Sequence, residues 1–214
     1  MPTEHLDSDM RRHQIVQNAR KIVVTQGMTA FTIQELAKDV GLSEGAIYRH
    51  FKSKDDILLA LIHDIERNLM DAVSESAQPN DSALDHLEHL LRRHFSSIER
   101  RDGVSFVVIG ESLRFADHQV NQATRQMVER YLGMVEGILR SGAEKGEIDE
   151  DVDTEAAAVM FFGMIQASVT LWSFSNRAHP LTQHSTSLWS MFINGLTSHN
   201  HKRASSPPSE IHPT

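Results

Sequence analysis

The residues of this chain best suited to chemistry stand close together. Between positions 31 and 54 the sequence reads FTIQELAKDVGLSEGAIYRHFKSK. Thr32, Ser43, Tyr48, His50 and Lys54 supply two aliphatic hydroxyls, a phenol, an imidazole and an ammonium group within that stretch. Groups of this kind hydrogen-bond phosphate oxygens, and in a protein–DNA complex such contacts set register while base edges carry the sequence information. Two short helical patterns meet at Gly41, and the second runs directly into the aromatic, imidazole and ammonium groups. A chain built this way can lay one helix in a DNA major groove and anchor it on the flanking phosphates.

The elements that hold these groups follow from the apolar spacing. Leu36, Ala37, Val40, Leu42 and Ile47 carry the pattern through residues 33–50. Ala37 is small where two helices must cross closely, and Gly41 can take the positive φ of a tight turn. Ile47 then packs on Leu36 and Val40, which is the spacing of a helix-turn-helix. Thr32 and Glu35 form a capping box with Phe31 and Leu36 as its hydrophobic staple, and Ser43 caps the second helix. A preceding helix is predicted from about Asp9 to Gln26, with Ile15, Ala19, Ile22 and Val23 on one face and Gly27 and Met28 closing its end. Ser53 caps a following helix that carries Ile57, Leu58, Leu61, Ile62 and Ile65.

In this register Thr32, Ala37, Gly41, Ser43, Tyr48, His50, Phe51 and Lys54 fit the pattern T-x4-A-x3-G-x-S-x4-Y-x-H-F-x2-K. The segment resembles the DNA-binding domain of TetR/AcrR-type regulators over about residues 10–60. The rest of the chain matches in helical layout and in the GEIDEDVDTEAAA entry to a late helix. The resemblance implies that Tyr48, His50 and Lys54 clamp the phosphate backbone, with the helix starts at Thr32 and Ser43 presenting free amides to phosphate. Base readout falls to the exposed start of the second helix. There Glu44 can accept from cytosine N4, Gly45 allows close approach or a thymine-methyl contact, and Arg49 is a further candidate. Blander roles stay open for the same residues: Thr32 and Ser43 as caps alone, Glu44 as a solvated first-turn acid favoured by the helix dipole, Gly45 as a weak helix position, and Lys52 and Arg12 as ordinary surface cations.

The whole chain, 214 residues with a net charge of −8, argues against nucleic acid at face value. That total hides an uneven spread: residues 1–55 are net +1 and the remainder net −9. Phosphate binding depends on local cations, so the total is a poor guide. The absence of Cys excludes disulfides and thiolate metal sites and suits a reducing cytoplasm. No secretory signal opens the sequence. Strand signals are nearly absent, and an all-α fold is predicted: a three-helix DNA-binding head over residues 1–55 with a disordered start, a helical regulatory and dimerisation body over 56–199, and a disordered, Pro-rich tail over 200–214.

Body helices are predicted at about 82–100, 103–117, 119–145, 154–175 and 182–198. Residues 156–172 are apolar on every side, yet Gln166, Ser168 and Thr170 interrupt a run already short of the roughly 20 residues of a membrane span. Such a helix is buried on two sides at once, with the core on one and a second subunit on the other. Leu188, Trp189 and Phe192 would join it in a four-helix homodimer interface. The resemblance also implies an effector pocket among the middle helices, with Phe106, Met127, Tyr131, Phe162, Ile165, Gln166 and Trp172 as candidates. Gln166 and Ser168 are its polar contacts, and a lipophilic or aromatic small molecule its occupant. Two heads on one dimer would meet a palindromic double-stranded operator about 34–36 Å apart, and the effector would release it as from a repressor. A second reading is a nucleoid-associated protein of division control, with no small-molecule effector.

Other constellations come to little. Asp85 and His89 have the i, i+4 spacing of a metal pair, but Leu84, Leu87, Leu90 and Leu91 turn that helix so that these groups face solvent. HExxH, GxSxG and P-loop motifs are missing, and the chain is read as a non-enzyme with no cofactor and no metal.

Overall fold

A computed structural model of the protein describes residues 2–100, 108–109, 118–175 and 178–204. Among the described residues every regular element is a helix and none is a strand. The head is made of α1 (Pro2–Gln26), α2 (Ile33–Val40) and α3 (Glu44–Tyr48), followed by the long α4 (Lys54–Ser76) that passes into the body. The body continues with α5 (Ala83–Arg100), α6 (His118–Glu144), α7 (Thr154–Phe174) and α8 (Ser185–Ala204), the last preceded by a 3-10 turn at Leu181–His184. The predicted helix at 103–117 lies outside the described residues except for Val108 and Ile109, which are helical.

Two expected helix limits move, and the expected domain boundary falls inside a helix. α1 begins at Pro2 rather than near Asp9, replacing the disordered start; proline is tolerated at a first helical position, where its missing N–H has no partner to lose. α4 runs unbroken across the expected domain boundary at 55/56. α8 extends through His201-Lys-Arg-Ala204 instead of ending near 198, because nothing in HKRA breaks a helix.

The apolar stripes explain the packing. Ile15, Ala19, Ile22 and Val23 of α1 meet Leu36 and Ala37 of α2, Ile47 of α3, and Ile57, Leu58, Leu61 and Ile62 of α4 in one continuous core. In the body, Leu87, Leu90, Leu91 and Phe95 of α5 join Met127, Tyr131, Val135 and Leu139 of α6 and Phe161, Ile165 and Val169 of α7. At Gly142 of α6 an added Cβ would stand 2.7 Å from the Ala83 Cβ and 2.9 Å from Ile148 Cδ1, so the start of α5 closes on α6 only because that side chain is absent.

Thr154–Phe174 is long and apolar enough to cross a membrane by composition, yet it divides between two environments. Ala157, Ala158, Phe161, Met164, Ile165 and Val169 are in the core, while Leu171 and Phe174 are 67% and 82% exposed. On α8, Leu188, Phe192 and Leu196 share one face, and that face turns inward. Phe192 is 1% exposed and packs 5.7 Å from the Phe161 ring and 5.8 Å from that of Trp189. Phe192 is therefore a core residue of the protomer and offers a partner almost no surface; Leu188 and Trp189 are half-buried beside it. The outward apolar position of α8 is Met191, 69% exposed.

One polar pair sits in the body core. His94 and the Tyr131 hydroxyl share a hydrogen bond of 2.9 Å, with the rings edge-on at 5.5 Å and Phe162 against the far side of Tyr131 at 5.9 Å. Burial pushes the His94 imidazole down to about 4, assisted by the charge of Arg93, and burial also raises the Tyr131 phenol. The folded chain thus resists protonating His94, whereas the unfolded chain takes that proton near 6.5. Between those values the unfolded state holds more protons, so the stabilisation is complete above about pH 6.5 and is lost as pH falls toward 4. The loss attributable to this group is about 3 kcal/mol. Urea unfolding of wild type and His94→Gln across this range should give a difference curve that closes as pH falls; parallel curves would show that His94 is not held neutral.

Candidate DNA-binding surface

The presentation of α3 begins with three turns of local chemistry. The Thr32 hydroxyl accepts the Glu35 amide at 3.1 Å, starting α2. The Glu35 carboxylate does not complete the expected box but takes Lys38 Nζ at 3.4 Å. At the other end Gly41 adopts φ 75°, ψ 35°; its N–H reaches the Lys38 carbonyl at 3.2 Å, and the Leu42 N–H reaches that of Ala37 at 2.8 Å. These two bonds form a Schellman motif, which only a residue free of Cβ strain adopts cheaply. Ser43 then accepts the Ala46 amide at 3.2 Å and starts α3. A third cap is reciprocal: the Ser53 hydroxyl accepts the Asp56 amide at 3.1 Å, and Asp56 accepts the Lys52 amide at 2.9 Å.

With its start fixed in this way, α3 buries Ala46 and Ile47 and leaves Glu44, Gly45, Tyr48 and Arg49 outside. Positions i, i+1, i+4 and i+5 form one continuous stripe along the helix. The sequence-predicted residues Thr32 and Ser43 are also exposed, at the starts of α2 and α3. His50 and Lys54 are half-buried where α3 passes into α4. Lys54 Nζ stands 5.1 Å from the centre of the buried Phe31 ring, so its ammonium is held over an aromatic face beside Thr32. Gly45 has open space where a Cβ would point: the nearest atom is Ser43 Oγ at 4.0 Å. The glycine is therefore not required by packing.

Arg12 is one of the residues whose role the sequence leaves open. It reaches from α1 to donate a hydrogen bond to the His50 carbonyl, and its guanidinium lies 4.2 Å from the centre of the Phe51 ring. Elsewhere in the head Lys21 pairs with Asp39 at 2.9 Å and Lys38 with Glu35, pairs that contribute about 0–1 kcal/mol each at a surface.

The expected effector-pocket residues divide into groups. Tyr131 contacts both His94 and Phe162, with Met127 and Ile165 in the same buried core. Gln166 is half-buried on α7, and Phe106 lies outside the described residues. Trp172 lines a different space, an open groove of about 390 Å³ shared with Met164, Leu181 and Leu188. Ser168 also borders that groove, but its hydroxyl donates to the Met164 carbonyl at 2.7 Å within its own helix. Asp85 and His89, weighed as a metal pair, have local partners instead. Asp85 accepts the Ser82 hydroxyl and amide at the start of α5, bonds that hold its carboxyl below the usual range, and His89 lies 3.1 Å from Asp81. His86 beside them is half-buried, with Nε2 3.0 Å from the Val73 carbonyl.

Known proteins share this layout. Residues 15–61 match the family described as bacterial regulatory proteins, tetR family, and residues 63–195 match the C-terminal region of YsiA-like proteins, a TetR-type C-terminal domain. A fatty acid metabolism regulator protein from Bacillus subtilis is 28% identical over 183 residues, covering 86% of this chain and 94% of the relative. A nucleoid occlusion factor, SlmA, from Vibrio atlanticus is 28% identical over 182 residues, 85% and 93% of the two chains. The crystal structure of the transcriptional regulator FadR from Bacillus subtilis in complex with stearoyl-CoA superimposes with a TM-score of 0.75 at 26% identity, over 86% of this chain and 98% of that one.

The exposed stripe separates two kinds of change. Lys54→Ala should weaken binding to every duplex and lower the slope of log affinity against log salt by about one. Gly45→Ala should fold at least as stably as wild type, gaining about 0.5–1 kcal/mol of helix propensity, while changing which duplexes bind. Unfolding curves with competition binding on a randomised duplex pool check both. A Gly45→Ala variant with the wild-type preference would remove that residue from base readout.

Proposed function

The chain belongs to the TetR family of bacterial regulatory proteins, and on that footing we propose that it is a repressor, binding a palindromic operator as a homodimer and released by a long-chain acyl effector. The observation that carries the DNA reading is the α3 stripe of Glu44, Gly45, Tyr48 and Arg49, flanked by Thr32, Ser43, His50 and Lys54. The acyl reading draws on the regulator of fatty acid metabolism and the stearoyl-CoA complex among its relatives, with the aromatic and aliphatic lining around Tyr131 and Phe162 as a compatible interior. Its place is the cytoplasm, with the DNA.

The homodimer draws on the exposed apolar side chains Leu171, Phe174 and Met191. Burial of each such side chain by a partner contributes about 1.5–3 kcal/mol. Leu171→Glu with Met191→Glu should therefore give a folded monomer by light scattering and circular dichroism. A dimer surviving both changes would place the interface on another face.

The function is tested by footprinting on DNA upstream of the chain's own gene, with and without stearoyl-CoA. Coupling of ordinary strength lowers operator affinity by about 5–150-fold when effector is present, with free coenzyme A as the inactive control. Unchanged affinity with stearoyl-CoA and with stearate would refute the acyl effector. The nucleoid occlusion relative supports a second reading at similar identity. Many scattered genomic sites, with no change in transcription on deletion of the gene, would favour it over the repressor.

A further inference from the structure

We infer that Arg12 is a positioning residue for DNA binding, acting through the end of α3 rather than through phosphate. α3 has five residues, and its last turn is closed by the His50 and Phe51 amides on the Ile47 carbonyl at 2.9 and 3.1 Å. The His50 carbonyl itself faces out of that turn and takes the Arg12 guanidinium from α1. The same guanidinium covers the Phe51 ring at 4.2 Å, and Phe51 is a buried residue of the head core. One side chain thus ties the outer face of α1 to two consecutive residues at the junction of α3 and α4, 38 positions along the chain.

Those two residues, His50 itself among the groups proposed to hold DNA, stand in the middle of the clamp. Tyr48 and Arg49 precede them, and Lys54 follows across the cap at Ser53. A shift of the 50–51 backbone moves both sides of the clamp relative to the groove-facing stripe. A planar fork is suited to this task, because it can donate to a carbonyl while stacking on a ring. A cation already engaged with a carbonyl and an aromatic face is also a poor candidate for counterion release. This separates its signature from that of a phosphate contact.

The test uses the full chain and sheared bulk duplex DNA, which needs no known operator, with binding followed across a salt series. Arg12→Ala should lose about tenfold in affinity, the scale of one hydrogen bond from a charged group, with a salt slope parallel to wild type. Arg12→Lys, which keeps the charge and loses the fork, should remain weakened. Helix content and unfolding midpoint of both variants establish that the fold is intact, and hydrogen exchange at the His50 and Phe51 amides should quicken in both. A slope reduced by about one in Arg12→Ala would mean that Arg12 touches phosphate. Full affinity in Arg12→Lys would mean that charge alone matters. Wild-type affinity in Arg12→Ala would remove the residue from DNA binding altogether. Each of these three results overturns the inference, and none depends on the effector or on the sign of regulation.

Discussion

A helix of five residues cannot stand on its own. Nucleation costs more than so few hydrogen bonds return, and isolated helices well over twice that length are marginal in water. Everything about the head follows from supporting α3 from outside. Ile47 is buried among α1, α2 and α4, Gly41 sets the angle of entry, Ser43 satisfies an orphan amide at the start, and Arg12 holds the carbonyl at the end. With its inner face spent on packing, its outer face is left free to carry Glu44, Gly45, Tyr48 and Arg49. Shortness is also what makes the reading surface sharp, since the helix has two sides and only one of them is available.

The body answers a different constraint, the surplus of apolar surface on α7. A helix apolar all round must find cover on every side, and within one protomer α7 finds it against α5, α6 and the inner face of α8 but not around its whole circumference. Leu171 and Phe174 remain outside, with Met191 of α8. α4 joins the two regimes, caps itself at Ser53 in the head and contributes Ile65, Leu69 and Val73 to the body core. Any displacement of body helices against α4 therefore reaches the head through a rigid element, with the buried Arg20–Asp64 pair at 3.8 Å linking α4 to α1.

Much of the head was legible in the sequence because its signals are local. Thr32, Gly41, Ser43 and Ser53 each act within about five residues, and each does in the structure what its type and position foretold. The half-formed box at Glu35 shows the margin of such reading, since an exposed carboxylate with a lysine three residues away has a second choice. The orientation of α8 was less legible. Leu188, Phe192 and Leu196 lie on one apolar face of α8, and periodicity marks that face without saying whether it meets α7 of its own protomer or a second subunit. Phe192, expected at a subunit interface, is instead spent on the protomer's own core.

The sequence by itself determined the helices, their caps and turns, and the family pattern from Thr32 to Lys54. All of these are set by the energetics of neighbours along the chain. Tertiary structure alone decided that Arg12 reaches His50 and Phe51, that His94 meets Tyr131, and which side of α8 is core. The first two partners are 38 and 37 residues apart, and no local propensity encodes a meeting at that distance. It results from how buried faces pack, and packing decides which partner an apolar face meets, which its own periodicity does not record.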